Sequence, residues 1–247
     1  MTVLITGGGG GLGRAVGSAV VARGIGAALV DIDEAAARAA AAQLQEISGV
    51  PVLAIGADLR SQSSAADAWS AAQAADGKLD AVVNCAGIFR ACEMLDITDD
   101  IWAATLAANL TGPFFVCQAA ARSWIDSGQP GALVNVASTA AFASGFHAAA
   151  DYGAAKAGLV GLTIHLAVTL GPYGIRANAV APGSFRSPMN AHRLADPAEE
   201  RKSAALVPLG RIAEPEEVAA TAVHLALDAT YVSGVVVPVD GGTLARM

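Results

Sequence analysis

Short apolar runs alternate along this chain with longer stretches of helical spacing. Residues 2–6 form an apolar run that glycines end, and Leu12, Val16, Ala19 and Val20 then share one face of a helix over 12–23. Residues 26–31 give a second buried strand, and Asp33 is placed to cap an alanine-rich helix to about residue 47. A third strand covers 51–56, Ser61 or Ser63 caps a helix to about residue 76, and a fourth strand covers 79–84. Thr98 opens a long helical stretch to Trp124, in which Pro113 predicts a bend or a fresh start. A fifth strand over 131–138 leads through an Ala-, Ser- and Gly-rich loop to a helix over 152–170, which Gly171 and Pro172 stop. A sixth strand over 175–181 precedes a polar, proline-spaced insertion at about 184–210. A helix over 214–227 with an acidic first turn and a strand over 235–239 follow. Strands that alternate with helices predict an α/β fold with one doubly wound domain over 1–247. Its seven-stranded parallel sheet is covered by helices on both faces.

Composition narrows the function classes. The chain is 54% hydrophobic, enough for a full core, and its net charge of −7 leaves no basic footprint for nucleic acid. No run reaches the ~18 apolar residues of a membrane span, because Thr163, His165 and Thr169 interrupt the most apolar helix. Met1 leads at once into a strand, so no leader and a cytoplasmic location are expected. Cys85, Cys92 and Cys117 match neither zinc nor redox spacing and read as reduced thiols. The histidines are scattered without ligand spacing, so no metal site is expected.

The run from Thr6 to Gly13 joins the first strand to the first helix. Glycines there let a phosphate approach main-chain N–H groups at a helix N-terminus, which makes the domain Rossmann-type. Two registers fit: Gly8, Gly10 and Gly13, or Gly7, Gly11 and Gly13. Asp31 ends the second strand 18 residues beyond Gly13, where an acid can bind the adenosine ribose hydroxyls. Tyr152 and Lys156 stand one helical turn apart on one face. A cation beside a phenol is expected to lower its pKa toward working pH and arm it for proton transfer.

Thr6-Gly7, Gly11, Gly13, Asn84-Cys-Ala-Gly87, Ser138, Tyr152 with Lys156, and Asn178 with Pro182-Gly183 occur in one order over nearly the whole chain. As a set they resemble the short-chain dehydrogenase/reductase family. The resemblance selects the register Gly7, Gly11, Gly13, with Leu12 between them, and implies an NAD site. Asp31 and Ile32 would meet the ribose, Asp58 and Leu59 the adenine, and Asn84, Ala86 and Gly87 would line the cofactor. Pro182, Gly183, Phe185 and Ser187 would hold the nicotinamide. Asp58 and Asn84 also suit ordinary strand-end caps. The implied catalytic set is Asn109, Ser138, Tyr152 and Lys156. Tyr152 exchanges the hydroxyl proton, Ser138 binds the substrate oxygen, Lys156 lowers the tyrosine pKa and bonds the nicotinamide ribose, and Asn109 steadies a water. Ser138 lies 14 residues before Tyr152, one more than is usual in the family. Thr139 would restore that count, but Ser138 fits the strand-end pattern better.

The expected activity is NAD-dependent interconversion of a secondary, including cyclic, alcohol and its ketone. Alternatives are a cofactor-sensing or scaffolding protein without chemistry, or a same-fold lyase. Against a lyase stand the intact glycine loop and Lys156. Gly10 and Ile32, where the family would place a cation for NADP, carry no charge, and Arg14 lies outside those places. Arg90, Glu93, His147, His192 and Arg193 flank the expected substrate cleft, and Phe142, Phe146, Phe185 and Met189 suggest an apolar pocket. The partners expected are a small-molecule alcohol or ketone and, by resemblance, three further copies in a homotetramer.

Overall fold

A computed structural model describes residues 1–143, 149–188 and 190–246. Its strands β1 (Thr2–Thr6), β2 (Gly26–Asp31), β3 (Val52–Gly56), β4 (Ala81–Asn84), β5 (Gly131–Val136), β6 (Ile175–Pro182) and β7 (Val236–Val239) form one parallel sheet. The order is β3-β2-β1-β4-β5-β6-β7. The helices are α1 (Gly11–Val21), α2 (Glu34–Ser48), α3 (Gln62–Asp76), α4 (Asp99–Leu106), α5 (Gly112–Ser127), α6 (Ala150–Leu170), α7 (Ala191–Leu194), α8 (Pro197–Ala204) and α9 (Pro215–Leu227). The expected seven-stranded, doubly wound architecture is the one observed.

Alternation along the strands explains the layers. Val3 and Ile5 of β1 pack with α1, α2 and α9 on one face of the sheet. Leu4 faces the other way, into α3 and α5, with Leu166 and Leu170 of α6 packed against them. Both faces are covered, so β1 is buried at every position. Asp33 caps α2 by accepting the N–H of Ala36, and it is Ser61, not Ser63, that caps α3.

The fresh start expected at Pro113 is present: α4 ends at Leu106, a π-helical turn spans Ala107–Thr111, and α5 restarts at Gly112. Pro113 has no N–H for the carbonyl of Asn109 one turn earlier, so a regular α-helix cannot run through this point. The polar insertion at 184–210 contains α7 and α8. One expectation needs correction: Ala150–Tyr173 is long and apolar enough to cross a membrane by length and composition. In this fold one side of it is buried, through Asp151, Ala155, Lys156, Leu159 and Thr163.

Candidate active site

The strand order turns back between β1 and β4, and the loops that leave their C-terminal ends open the cleft where such folds bind ligands. The glycine loop leaves β1 and Cys85–Gly87 leaves β4. Gly7 has φ +66, and a Cβ there would lie 2.9 Å from Ala86 Cα. A Cβ on Gly13 would run into the Gly7 carbonyl oxygen. Gly10 caps α1 without a side chain, and no acid stands in the first turn, so no protein anion competes for its N–H groups. Leu12 is buried beneath them. Pro188 covers the loop, with Cδ 2.7 Å from where a Gly11 Cβ would be.

Asp31 sits at the rim of this seat. Its Oδ2 accepts from Gly9 N at 3.0 Å and its Oδ1 from Asp33 N at 3.0 Å, which fixes the carboxylate against the glycine loop. Ile32 beside it is 67% exposed. Arg14 hydrogen-bonds Gln43 on α2, away from the family's usual cation places. Asp58 lies just past β3 and pairs with Arg60, whose hydrogen bond holds the carboxyl below the usual carboxylate range. Leu59 is half-buried against the α3 and α5 side of the core. Gly183 leaves β6 against Asp240, where a Cβ would come within 2.9 Å of Asp240 Cβ. Phe185 bridges to Ala213, and Ser187 N donates to Asn190 Oδ1. A bare helix N-terminus, glycines that no side chain could replace, and a fixed acid at the ribose position fit a dinucleotide.

Asn84 departs from the expected cofactor-lining role. It is 1% exposed, and its Nδ2 donates to Asn135 Oδ1 at 2.9 Å. Asn135 Nδ2 in turn donates to Thr163 Oγ1 at 2.9 Å. Its side chain therefore ties β4 to β5 and α6 and does not face the cleft.

The chemical floor lies between β5 and α6. Ser138 follows β5, and its Oγ accepts from Ala140 N at 3.1 Å. Thr139 begins a short 3-10 turn. Ser138 acts on the Tyr152 phenol to lower its pKa, and Phe89 packs edge-on to that ring at 5.2 Å. Lys156 is 4% exposed, donates from Nζ to the Val136 carbonyl at 2.7 Å, and stands 5.6 Å from the Tyr152 ring centroid.

The electrostatics differ from expectation. Burial pushes the Tyr152 phenol up, and Ser138 only partly offsets it. Lys156 is not among the groups that pull it down, and its ammonium donates to the Val136 carbonyl. Burial also takes Lys156 down to about 8, with Cys85 opposing. The Cys85 thiol is pushed up to about 12, chiefly by burial, which makes it inert.

Asn109 lies in the π-helical turn with no exposed surface. Its Nδ2 donates to Ile88 O at 2.9 Å and to Thr105 O at 3.0 Å. Its Oδ1 is buried without a hydrogen-bond partner, and a Cβ on Gly87 would lie 2.5 Å from it and 3.6 Å from Lys156 Nζ. Gly87 is thus the seam between Asn109 and Lys156, with one acceptor left open there. Arg90, Glu93 and His192 are exposed and Phe142 is half exposed, while Phe146, His147 and Met189 lie outside the described residues. Sequence reasoning missed Thr105 and Asp151, which hydrogen-bond beneath this floor. A carboxylate beside the tyrosine on an otherwise apolar helix was the available signal. Among the described residues no cluster could hold a metal ion.

A sequence model described as enoyl-(acyl carrier protein) reductase matches residues 8–243. The chain is 37% identical over 251 residues to an L-rhamnose 1-dehydrogenase (NAD(P)(+)) of Azotobacter vinelandii, covering 100% of this chain and 97% of that one. It is 37% identical over 243 residues to 3beta-hydroxysteroid dehydrogenase 1 of Eggerthella lenta, covering 98% and 92%. An Agrobacterium tumefaciens protein assigned as a 2-deoxy-D-gluconate 3-dehydrogenase, solved with NADP bound, superposes with TM-score 0.89 at 31% identity, covering 99% and 96%.

Proposed function

The chain belongs to the short-chain dehydrogenase/reductase family, and from that premise we propose an NAD-dependent oxidoreductase that interconverts a secondary, including cyclic, alcohol and its ketone. The observation that carries the proposal is the Tyr152 phenol, with Ser138 acting on it and the buried Lys156 ammonium 5.6 Å from its ring. Nicotinamide bound there supplies or accepts the hydride. Ser138 donates to the substrate oxygen and fixes the reacting carbon. Tyr152 gives that oxygen a proton in reduction and takes it back in oxidation. Its raised pKa keeps the phenol protonated at neutral pH, which suits ketone reduction. Lys156, at about 8, is mostly charged at that pH and stands beside the phenol, where it can bond the nicotinamide ribose. Asn109 offers its open Oδ1 to a water beside Lys156, a route for the proton to leave. Preorganised donors in a dry pocket are the dominant source of rate in such steps.

Relatives named for a sugar and a steroid support a ring hydroxyl as substrate. The three cysteines are unpaired, which suits the cytoplasm. Trp102, Phe114, Ile164 and Val168 expose apolar surface on α4, α5 and α6, which supports a homotetramer that buries it. Initial rates on a panel of sugar, polyol, cyclic and steroid alcohols with NAD, followed by absorbance of the reduced cofactor, test the activity. Turnover of at least one ring alcohol is expected. NADH binding with no turnover across the panel would favour a cofactor sensor instead.

A further inference from the structure

The first turn of α6 carries Tyr152, yet its N-cap is Ala149, which has no side chain to cap it. Asp151 ties the turn down from the side. Its carboxylate is 1% exposed, and Oδ2 accepts the hydroxyl of Thr105 on α4 at 2.6 Å. Thr105 is itself 3% exposed, and its main-chain carbonyl accepts from Asn109 Nδ2 at 3.0 Å. One residue therefore touches both halves of the chemical floor. Its hydroxyl reaches the neighbour of Tyr152, and its carbonyl holds Asn109.

Stability alone is a poor reason for this arrangement. No cation pairs with Asp151 among the described residues, and its Oδ1 is buried with no hydrogen-bond partner. A carboxylate buried with a single bond is costly compared with an apolar side chain of similar size. The bond does, however, set how the first turn of α6 sits against α4, and Tyr152 is the next residue along that turn. Proton transfer and hydride transfer both need reacting atoms placed to a fraction of an ångström.

We propose that the Thr105–Asp151 hydrogen bond is a positioning clamp for the general acid/base, holding the Tyr152 phenol at the height of the Ser138 hydroxyl. The inference rests on the role given to Tyr152 above. Thr105→Val replaces the hydroxyl by a methyl of the same size. It should lower kcat by roughly tenfold to a hundredfold, the cost of a displacement of about 1 Å. NADH affinity, read by fluorescence titration, should stay within about twofold, because the seat lies on other elements. Amide hydrogen exchange over residues 150–156 should speed up in the enzyme as isolated. Thr105→Ser should restore both kcat and slow exchange. A Thr105→Val enzyme that melts earlier but keeps wild-type kcat per NADH-binding site would overturn the clamp.

A double-mutant cycle separates this idea from the functional reading. In a Tyr152→Phe background, Thr105→Val should add no further loss, since the group it positions is gone. Fully additive losses would overturn the clamp. Wild-type turnover in Tyr152→Phe alone would refute the acid/base reading, and unchanged exchange over residues 150–156 would then overturn the clamp separately. If Thr105→Val yields no folded protein, Thr105→Ala removes the same hydroxyl with less bulk and is read the same way.

Discussion

The seat between β1 and α1 offers a ligand almost nothing but main chain, whereas the floor between β5 and α6 offers buried side chains. At the seat, glycines are required because a Cβ on Gly7 or Gly13 would strike neighbouring backbone, and the helix N-terminus has no side-chain cap. At the floor, Asn109, Asp151 and Lys156 are all at most 4% exposed, and each polar atom is either bonded or conspicuously open. Main-chain sites bind without titrating. Burial shifts the pKa values of Tyr152 and Lys156, so the proposed function puts proton chemistry at the floor and binding at the seat.

Four experiments sharpen or break that division, from the largest expected effect to the smallest. Tyr152→Phe removes a floor group without touching the seat. It should cut turnover by ~10²–10⁴ while NADH titration is unchanged. Ser138→Ala should also slow the reaction strongly and Thr139→Ala should not, because it is Ser138 whose side chain reaches the phenol. A reversed pair would reassign the substrate-binding hydroxyl.

Lys156→Met tests whether the floor stores a cost. Lys156 has a pKa of about 8 in the fold, against ~10.4 for an exposed lysine. Between those values the unfolded chain binds more protons, so stability rises with pH across about pH 8 to 10.4. At pH 7 the buried charge costs about 3 kcal/mol, and the lost bond to Val136 returns roughly 1 kcal/mol of that. Lys156→Met should therefore be about 2 kcal/mol more stable than wild type in denaturant unfolding at pH 7, with the advantage gone by about pH 10. A Met variant less stable at pH 7 would show that burial at the floor carries no such penalty.

Asp31 is the side chain proposed to decide cofactor choice at the seat. The 2′-phosphate of NADP at ~4 Å from it, with an effective dielectric of ~20, is repelled by ~4 kcal/mol before screening. Half of that is ~30-fold in affinity. NAD should be preferred by at least about tenfold in kcat/KM, and Asp31→Ser with Ile32→Arg should narrow or invert the ratio. Relatives that carry NADP in their names or structures make this the most exposed of the four. Equal use of both cofactors would mean that Asp31 serves the glycine loop, through its bonds to Gly9 and Asp33, and not the ribose.

Much of the seat was legible in residue order. The glycines adjoin a strand and a helix, Asp31 ends the next strand, and each requirement is met within a few residues. The floor was legible as a set of names but not as a working site. Asn109 was visible, yet its π-helical turn depends on Pro113 and on acceptors at Ile88 and Thr105. Asn84 was assigned to the cofactor, but its partners Asn135 and Thr163 lie on two later elements.

By itself the sequence determined the alternation of strands and helices, the layer each side chain enters, the glycine loop and the Tyr152–Lys156 spacing. These follow from local rules: period, capping, and the space a missing Cβ leaves. Only the tertiary structure decided that Lys156 bonds Val136 and does not lower the phenol, that Asn84 turns inward, and that Thr105 reaches Asp151. Desolvation and long-range hydrogen bonds are set by neighbours brought together from distant parts of the chain, and no spacing rule along the sequence encodes which of them will meet.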